Sequence, residues 1–210
     1  MEIFLDSASC FDIERFAPFI DGVTTNPSLM AKEDRKISDV VHDIVKLVKG
    51  PISVEVAAGT AKDMISEAHQ FRKISEYVVI KLPITRDGLI ACKELSNDGI
   101  PTNMTLCFSA NQAIMAAKCN ATYVSPFIGR LDDSGHSGLT LIEEIRDIFY
   151  NFFDTKILAA SIRSLDHITE AARIGVDAIT IPPKILEKMW LHPLTDVGLE
   201  IFERDSKKNA

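Results

Sequence analysis

Eight short apolar runs recur along the chain, at residues 3–6, 22–25, 52–56, 78–81, 101–106, 123–127, 157–160 and 178–181. Runs of this length, rich in β-branched residues and bounded by polar or turn-forming ones, read as strands buried on both faces. The stretches between them follow a helical period instead. Ile37, Val40, Val41, Ile44, Val45 and Val48 form one apolar stripe, and Leu141, Ile145, Ile148, Phe149 and Phe152 form another. Gly50, Gly99 and Gly175 each fall between a helical pattern and the next strand, where a C-cap is expected. Regular alternation of strand and helix predicts a (β/α)8 TIM barrel, with residues 1–210 as one domain. An open doubly wound sheet would carry a glycine-rich loop after the first strand, and the segment LDSAS offers none. Beyond the eighth unit, residues 193–204 predict one extra C-terminal helix, with Leu194, Val197, Leu199, Ile201 and Phe202 as its apolar content. Residues 205–210 are expected to form a frayed polar tail.

Composition narrows the function classes. The 210 residues are 46% hydrophobic, enough for one large core, and the net charge is -7. Without a basic run beyond Lys207 and Lys208, nucleic acid and anionic membrane surfaces are poor partners. Small phosphorylated ligands, which need only two or three placed cations, stay open. No apolar stretch reaches the ~20 residues of a membrane span. The acidic start MEIFLD lacks the basic region of a signal peptide. Cys10, Cys92, Cys107 and Cys119 show no metal-site spacing and read as reduced thiols of a cytoplasmic protein. Neither a metal nor an organic cofactor is expected. Of the five histidines only His136, in a polar loop, is held in reserve as a functional candidate.

Lys81 stands out because it follows the buried run YVVI. Burial disfavours an ammonium and exposes the neutral amine as a nucleophile toward carbonyls, the chemistry of a Schiff base. A lysine that snorkels to solvent is the plainer reading of that segment alone. In a (β/α)8 barrel, however, chemistry gathers at the C-terminal strand ends, and this chain places polar residues at most of them. They are Asp6, then Thr24 with Thr25 and Asn26, Glu55, Lys81, Asn103 with Thr105, Ser125 with Phe127 and Arg130, and Ser161 with Arg163. Individually Asp6 reads as a helix cap, Asn26 as a turn residue and the arginines as surface charges. Glu55, on the inward face of a strand with Ser53, needs a partner or a water.

The segments FLD (4–6), GVTTNPS (22–28), VVIKLP (78–83), GIPTNMTLCFS (99–109), YVSPFIGR (123–130) and AASIR (159–163) together resemble the transaldolase family. The likeness is nearest to its short, single-barrel subfamily, which also contains the fructose-6-phosphate aldolases. It implies a class I mechanism in the non-oxidative pentose phosphate pathway. A dihydroxyacetone unit would move from sedoheptulose 7-phosphate or fructose 6-phosphate to glyceraldehyde 3-phosphate or erythrose 4-phosphate. By resemblance Lys81 attacks the ketose carbonyl, Asp6 takes the hydroxyl proton during carbon–carbon cleavage, and Glu55 and Thr105 move protons through a bound water. Thr24, Asn26, Asn103, Ser125 and Phe127 fall at substrate-binding positions, and Arg130, Ser161 and Arg163 at phosphate-binding ones. The family also implies a homo-oligomer, rings of five that pair into decamers.

Two positions discriminate within the subfamily. Transaldolases resemble one another in a glutamate on strand three and a phenylalanine in the strand-six motif, where the aldolases have glutamine and tyrosine. Glu55 and Phe127 both point to transaldolase. The alternatives are an aldolase of the fructose-6-phosphate type and, more remotely, a barrel that only binds sugar phosphates. A binder would keep the two arginines but has no use for Lys81, Asp6 and Glu55 together.

Overall fold

The computed structural model describes residues 1–57 and 59–208. Its centre is a closed barrel of eight parallel strands in sequence order. In chain order the elements are β1 (Glu2–Asp6), α1 (Cys10–Phe16), β2 (Gly22–Thr24), α2 (Pro27–Met30), α3 (Ile37–Leu47), β3 (Ile52–Glu55), α4 (Ala61–Arg72), β4 (Val78–Pro83) and α5 (Arg86–Asn97). They continue as β5 (Thr102–Cys107), α6 (Ala110–Lys118), β6 (Tyr123–Pro126), α7 (Ile128–Asp133), α8 (Gly138–Phe152), β7 (Lys156–Ala159), α9 (Leu165–Ile174), β8 (Ala178–Ile181), α10 (Pro183–Leu186) and α11 (Pro193–Lys208). This is the (β/α)8 architecture read from the alternation, closed by the pairing of β1 with β8.

Two cores hold it. The larger lies between sheet and helices and takes the outward residues of the strands, such as Leu5, Val23, Ile80 and Ile179. The smaller fills the barrel with Phe4, Val79, Tyr123, Leu158, Ala160 and Ala178. Two residues further along several of these strands, on the same face by the period of two, stand Asp6, Lys81, Ser125 and Thr180. The interior therefore passes from apolar to polar toward the C-terminal strand ends. The turns that follow end in side-chain caps that satisfy the first helical N–H groups: Ser9 for α1, Thr60 for α4, Thr85 for α5, Ser109 for α6, Ser137 for α8 and Ser164 for α9.

Several expectations are corrected. β4 runs two residues past Lys81, to Pro83, so the lysine is inside the strand rather than at its end. Gly99 and Gly175 follow α5 and α9 with φ of 73° and 87°, as helix-terminating glycines do. Gly50 does not: α3 is capped at Val48, and Gly50 is small because a Cβ there would collide with the Asp21 carbonyl. The α8 stripe buries Leu141, Ile145 and Phe149, but Phe152 is exposed and Ile142 is buried instead. The extra helix is longer than expected. α11 continues through residues 205–208, since its charged end makes the helical ion pairs Lys207–Glu203 and Lys208–Asp205. Residues 209–210 of the expected tail lie outside the described residues. No described helix is long and apolar enough to cross a membrane.

Candidate active site

A cavity of about 430 Å³ opens at the C-terminal ends of the strands. The twelve residues to which the resemblance gives a role all line it, brought together from β1 to β7 and the segments that follow, whereas Thr25 does not. Lys81 is 6% exposed. Its Nζ lies 2.8 Å from Glu55 Oε2 and donates to the Thr25 carbonyl at 2.9 Å. Register explains the pairing: β3 and β4 set Glu55 opposite Lys81, both pointing inward. The partner that Glu55 requires is thus Lys81 itself. A buried pair of this kind is costly to break by removing one member, because the other is left as an uncompensated charge.

Asp6 does not cap α1; Ser9 does. Its Oδ1 instead accepts from Thr24 Oγ1 at 3.1 Å. Burial pushes the Asp6 carboxyl above its ordinary value, while the Lys81 charge and the Thr24 bond pull the other way. Asn103 is fully buried; its amide donates to Ser53 Oγ at 3.1 Å and its carbonyl accepts from Ser125 Oγ at 2.7 Å. That network fixes the amide's orientation. Asn26 both lines the cavity and caps α2, its Oδ1 accepting from Leu29 N at 2.9 Å. Thr105 Oγ1 is buried with no hydrogen-bond partner among the described residues.

The far wall is built by backbone strain and close approach. Ser161 has φ of 61°, a left-handed conformation uncommon outside glycine that marks a site held in place by its surroundings. Gly129 N donates to the Ser161 carbonyl at 3.0 Å, and a Cβ on Gly129 would collide with that carbonyl and with the Arg163 side chain. The first turn of α7, with Arg130, and the segment after β7, with Arg163, are therefore pressed together. Arg130 is exposed and stacks on the Phe127 ring at 4.9 Å, and Phe127 meets Phe108 edge to face at 5.7 Å. Arg163 pairs with Asp133 at 2.8 Å, both more than half exposed.

Seven lining residues were not read from the sequence, among them Leu106, Thr180 and Ser28. Leu106 escaped because period-two reasoning turns it away from Thr105. A register shift between Met104 and Cys107, with Leu106 at φ of 60°, lets both line the cavity. Thr180 left one signal, a lone hydroxyl in the apolar run AITI. His136 is exposed, lies within 3.2 Å of Ser134 Oγ and is not part of the lining. Among the described residues no three His, Cys, Asp or Glu side chains gather as a metal site would.

The sequence model of the family described as Transaldolase/Fructose-6-phosphate aldolase matches residues 3–210. The chain belongs to the transaldolase/fructose-6-phosphate aldolase family. A protein of Bartonella tribocorum named "Probable transaldolase" is 54% identical, covering 100% of this chain and 98% of its own length. One of the same name from Nitrosopumilus maritimus is 50% identical over 99% and 96% of the two chains. A third, from Caulobacter vibrioides, is 53% identical over 98% and 96%. Family membership accounts for the joint placement of an internal lysine, two inward carboxylates and two arginines around one barrel mouth.

Proposed function

We propose that the protein is a transaldolase acting on sugar phosphates through a Schiff base on Lys81. The observation that carries this reading is Lys81 itself, buried and held at 2.8 Å by Glu55 in a cavity that opens between Arg130 and Arg163. The lysine must lose a proton before it can attack, and Glu55 is the acceptor within reach. The amine then bonds to the ketose carbonyl carbon, and the carbinolamine hydroxyl leaves as water. Thr105, with its buried and unpartnered hydroxyl, lies in the cavity where that proton traffic takes place. Asp6 takes the proton of the hydroxyl on the fourth carbon as the bond between carbons three and four breaks. Its burial suits it to hold that proton.

The departing fragment is an aldose phosphate, and the three-carbon fragment stays on Lys81 as an enamine. Asn103, Asn26 and Ser125 supply polar groups for its hydroxyls, while Leu106, Ile162 and Phe127 give the wall apolar surface that limits water. Arg130 and Arg163 with Ser161 suit a phosphate dianion, since guanidinium offers paired donors. With these substrates the protein would act in the non-oxidative pentose phosphate pathway, and four free thiols suit a cytoplasmic location.

Borohydride reduction in the presence of fructose 6-phosphate should add the three-carbon adduct to Lys81, located by peptide mass, and Lys81→Met should show none. An unmodified Lys81 would rule the mechanism out. Release of glyceraldehyde 3-phosphate from fructose 6-phosphate should require erythrose 4-phosphate. Comparable release without that acceptor would make the enzyme an aldolase and remove Glu55 and Phe127 as the discriminating pair.

A further inference from the structure

β1 lies between β2 and β8, and each neighbour turns a threonine toward Asp6's side of the barrel. Thr24 Oγ1 is 3.1 Å from Asp6 Oδ1 and 2.6 Å from Thr180 Oγ1. Thr24 and Thr180 are 3% and 4% exposed. A hydroxyl has one proton to donate. When Thr24 gives its proton to the Asp6 carboxylate, the 2.6 Å contact is a hydrogen bond only if Thr180 is the donor. When Asp6 carries the proton, the direction reverses, from Asp6 to Thr24 to Thr180. The three residues form a chain whose polarity follows the state of the acid.

The plain alternative is that Thr180 bonds Thr24 only to satisfy its own hydroxyl. Valine has nearly the same shape and would suit a strand whose other residues are Ala178, Ile179 and Ile181. A buried hydroxyl in that setting is costly unless it is bonded. Thr180 also lines the cavity that contains Asp6 and Lys81. Hydrogen bonds in such chains strengthen one another where water is scarce.

We infer that Thr180 is a positioning residue for Asp6. Acting through Thr24, it commits a hydroxyl proton to Asp6 Oδ1, which keeps the carboxylate ionised and fixed before cleavage. It then accepts the reversed bond once Asp6 has taken the substrate's proton. No atom leaves or enters the chain in this switch; only the donor at each hydrogen bond changes. The inference rests on Asp6 being the base of the cleavage step. The other charged groups facing Asp6 are Lys81 on β4, itself paired with Glu55 on β3, and Lys32 in the turn after α2. Both cations favour the carboxylate and burial opposes it. The Thr180 bond therefore acts in the same direction as the cations.

The test is the pH dependence of kcat and kcat/KM for the wild type, Thr180→Val, Thr180→Ser and Asp6→Asn, with thermal melts to confirm folding. The acid limb of kcat/KM reports the free enzyme's base. Thr180→Val should move that limb to higher pH and lower kcat roughly 2- to 10-fold, the worth of one net hydrogen bond, with KM little changed. Thr180→Ser should restore both. If Thr180→Val fails to fold, Thr180→Ala carries the same comparison with serine. An unmoved limb, or a serine variant no better than the valine one, overturns the inference while an inactive Asp6→Asn leaves the base assignment standing. An Asp6→Asn variant with wild-type turnover would remove the base assignment and this inference together.

Discussion

Asp6 shows at the scale of one residue how stability and chemistry oppose each other. Burial raises its carboxyl above the ordinary value of 3.8, against the pull of Lys81 and Thr24. The native state therefore holds a proton in a window above 3.8 where the unfolded chain has released it. In that window stability falls as pH rises, because the folded protein binds more protons than the unfolded one. Above the window the buried charge is a standing cost. Asp6→Asn, which keeps an acceptor for Thr24, should melt no lower than wild type at neutral pH while losing turnover. The difference in melting temperature should vanish as pH falls to where both chains are neutral at this position. Melting curves across that pH range, beside an activity assay, check it. An Asn variant that melts well below wild type at neutral pH would show that Asp6 stabilises the fold through its charge, and that burial is not the governing effect.

Arg130 and Arg163 depend, at the scale of elements, on a residue with no side chain. Gly129 makes the contact between the first turn of α7 and the turn after β7, and a Cβ there meets the Ser161 carbonyl. Gly129→Ala must push these turns apart, at an expected cost of about 1–3 kcal/mol in a packed setting. Chemical denaturation should register that loss. KM for fructose 6-phosphate should rise, because Arg130 and Arg163, which line one cavity, are shifted relative to each other, while borohydride still traps the lysine adduct. An alanine variant with wild-type KM would show that the arginines do not depend on this contact. Such contacts explain what could be read from the chain and what could not. Strands were legible because a strand buried on both faces must be apolar along its length, and inward residues such as Lys81 and Glu55 then stand out as exceptions. The Gly129 approach, the left-handed Ser161 and the shift at Leu106 left no periodic trace, since each arises from two segments meeting. Gly50 was misread for the same reason: its lack of a side chain answers to Asp21, across the structure, rather than to the helix before it.

At the scale of the whole molecule, α11 is the element the barrel does not explain. It is 16 residues long with none buried, and Leu194, Val197, Leu199, Ile201 and Phe202 are all substantially exposed. Close to its start, Met189, Trp190 and Leu191 are exposed too, with Trp190 packed on Phe19 at 5.4 Å. Most of a helix's stability in a protein comes from packing its apolar side, so this one needs a surface to cover it. The barrel's own helices leave it uncovered. A run of exposed apolar residues on one element marks an interaction surface more often than an accident. We propose a second copy of this chain as the occupant, in line with the homo-oligomer that the resemblance implies. Leu194→Glu combined with Phe202→Glu should then lower the mass measured by light scattering from that of an assembly to that of one chain. None of the described residues of α11 lines the cavity that holds Lys81, so the separated chains should still form the borohydride-trapped adduct. A wild-type protein that already runs as a single chain would overturn the expectation, and the apolar side of α11 would have to be covered by something other than its own kind.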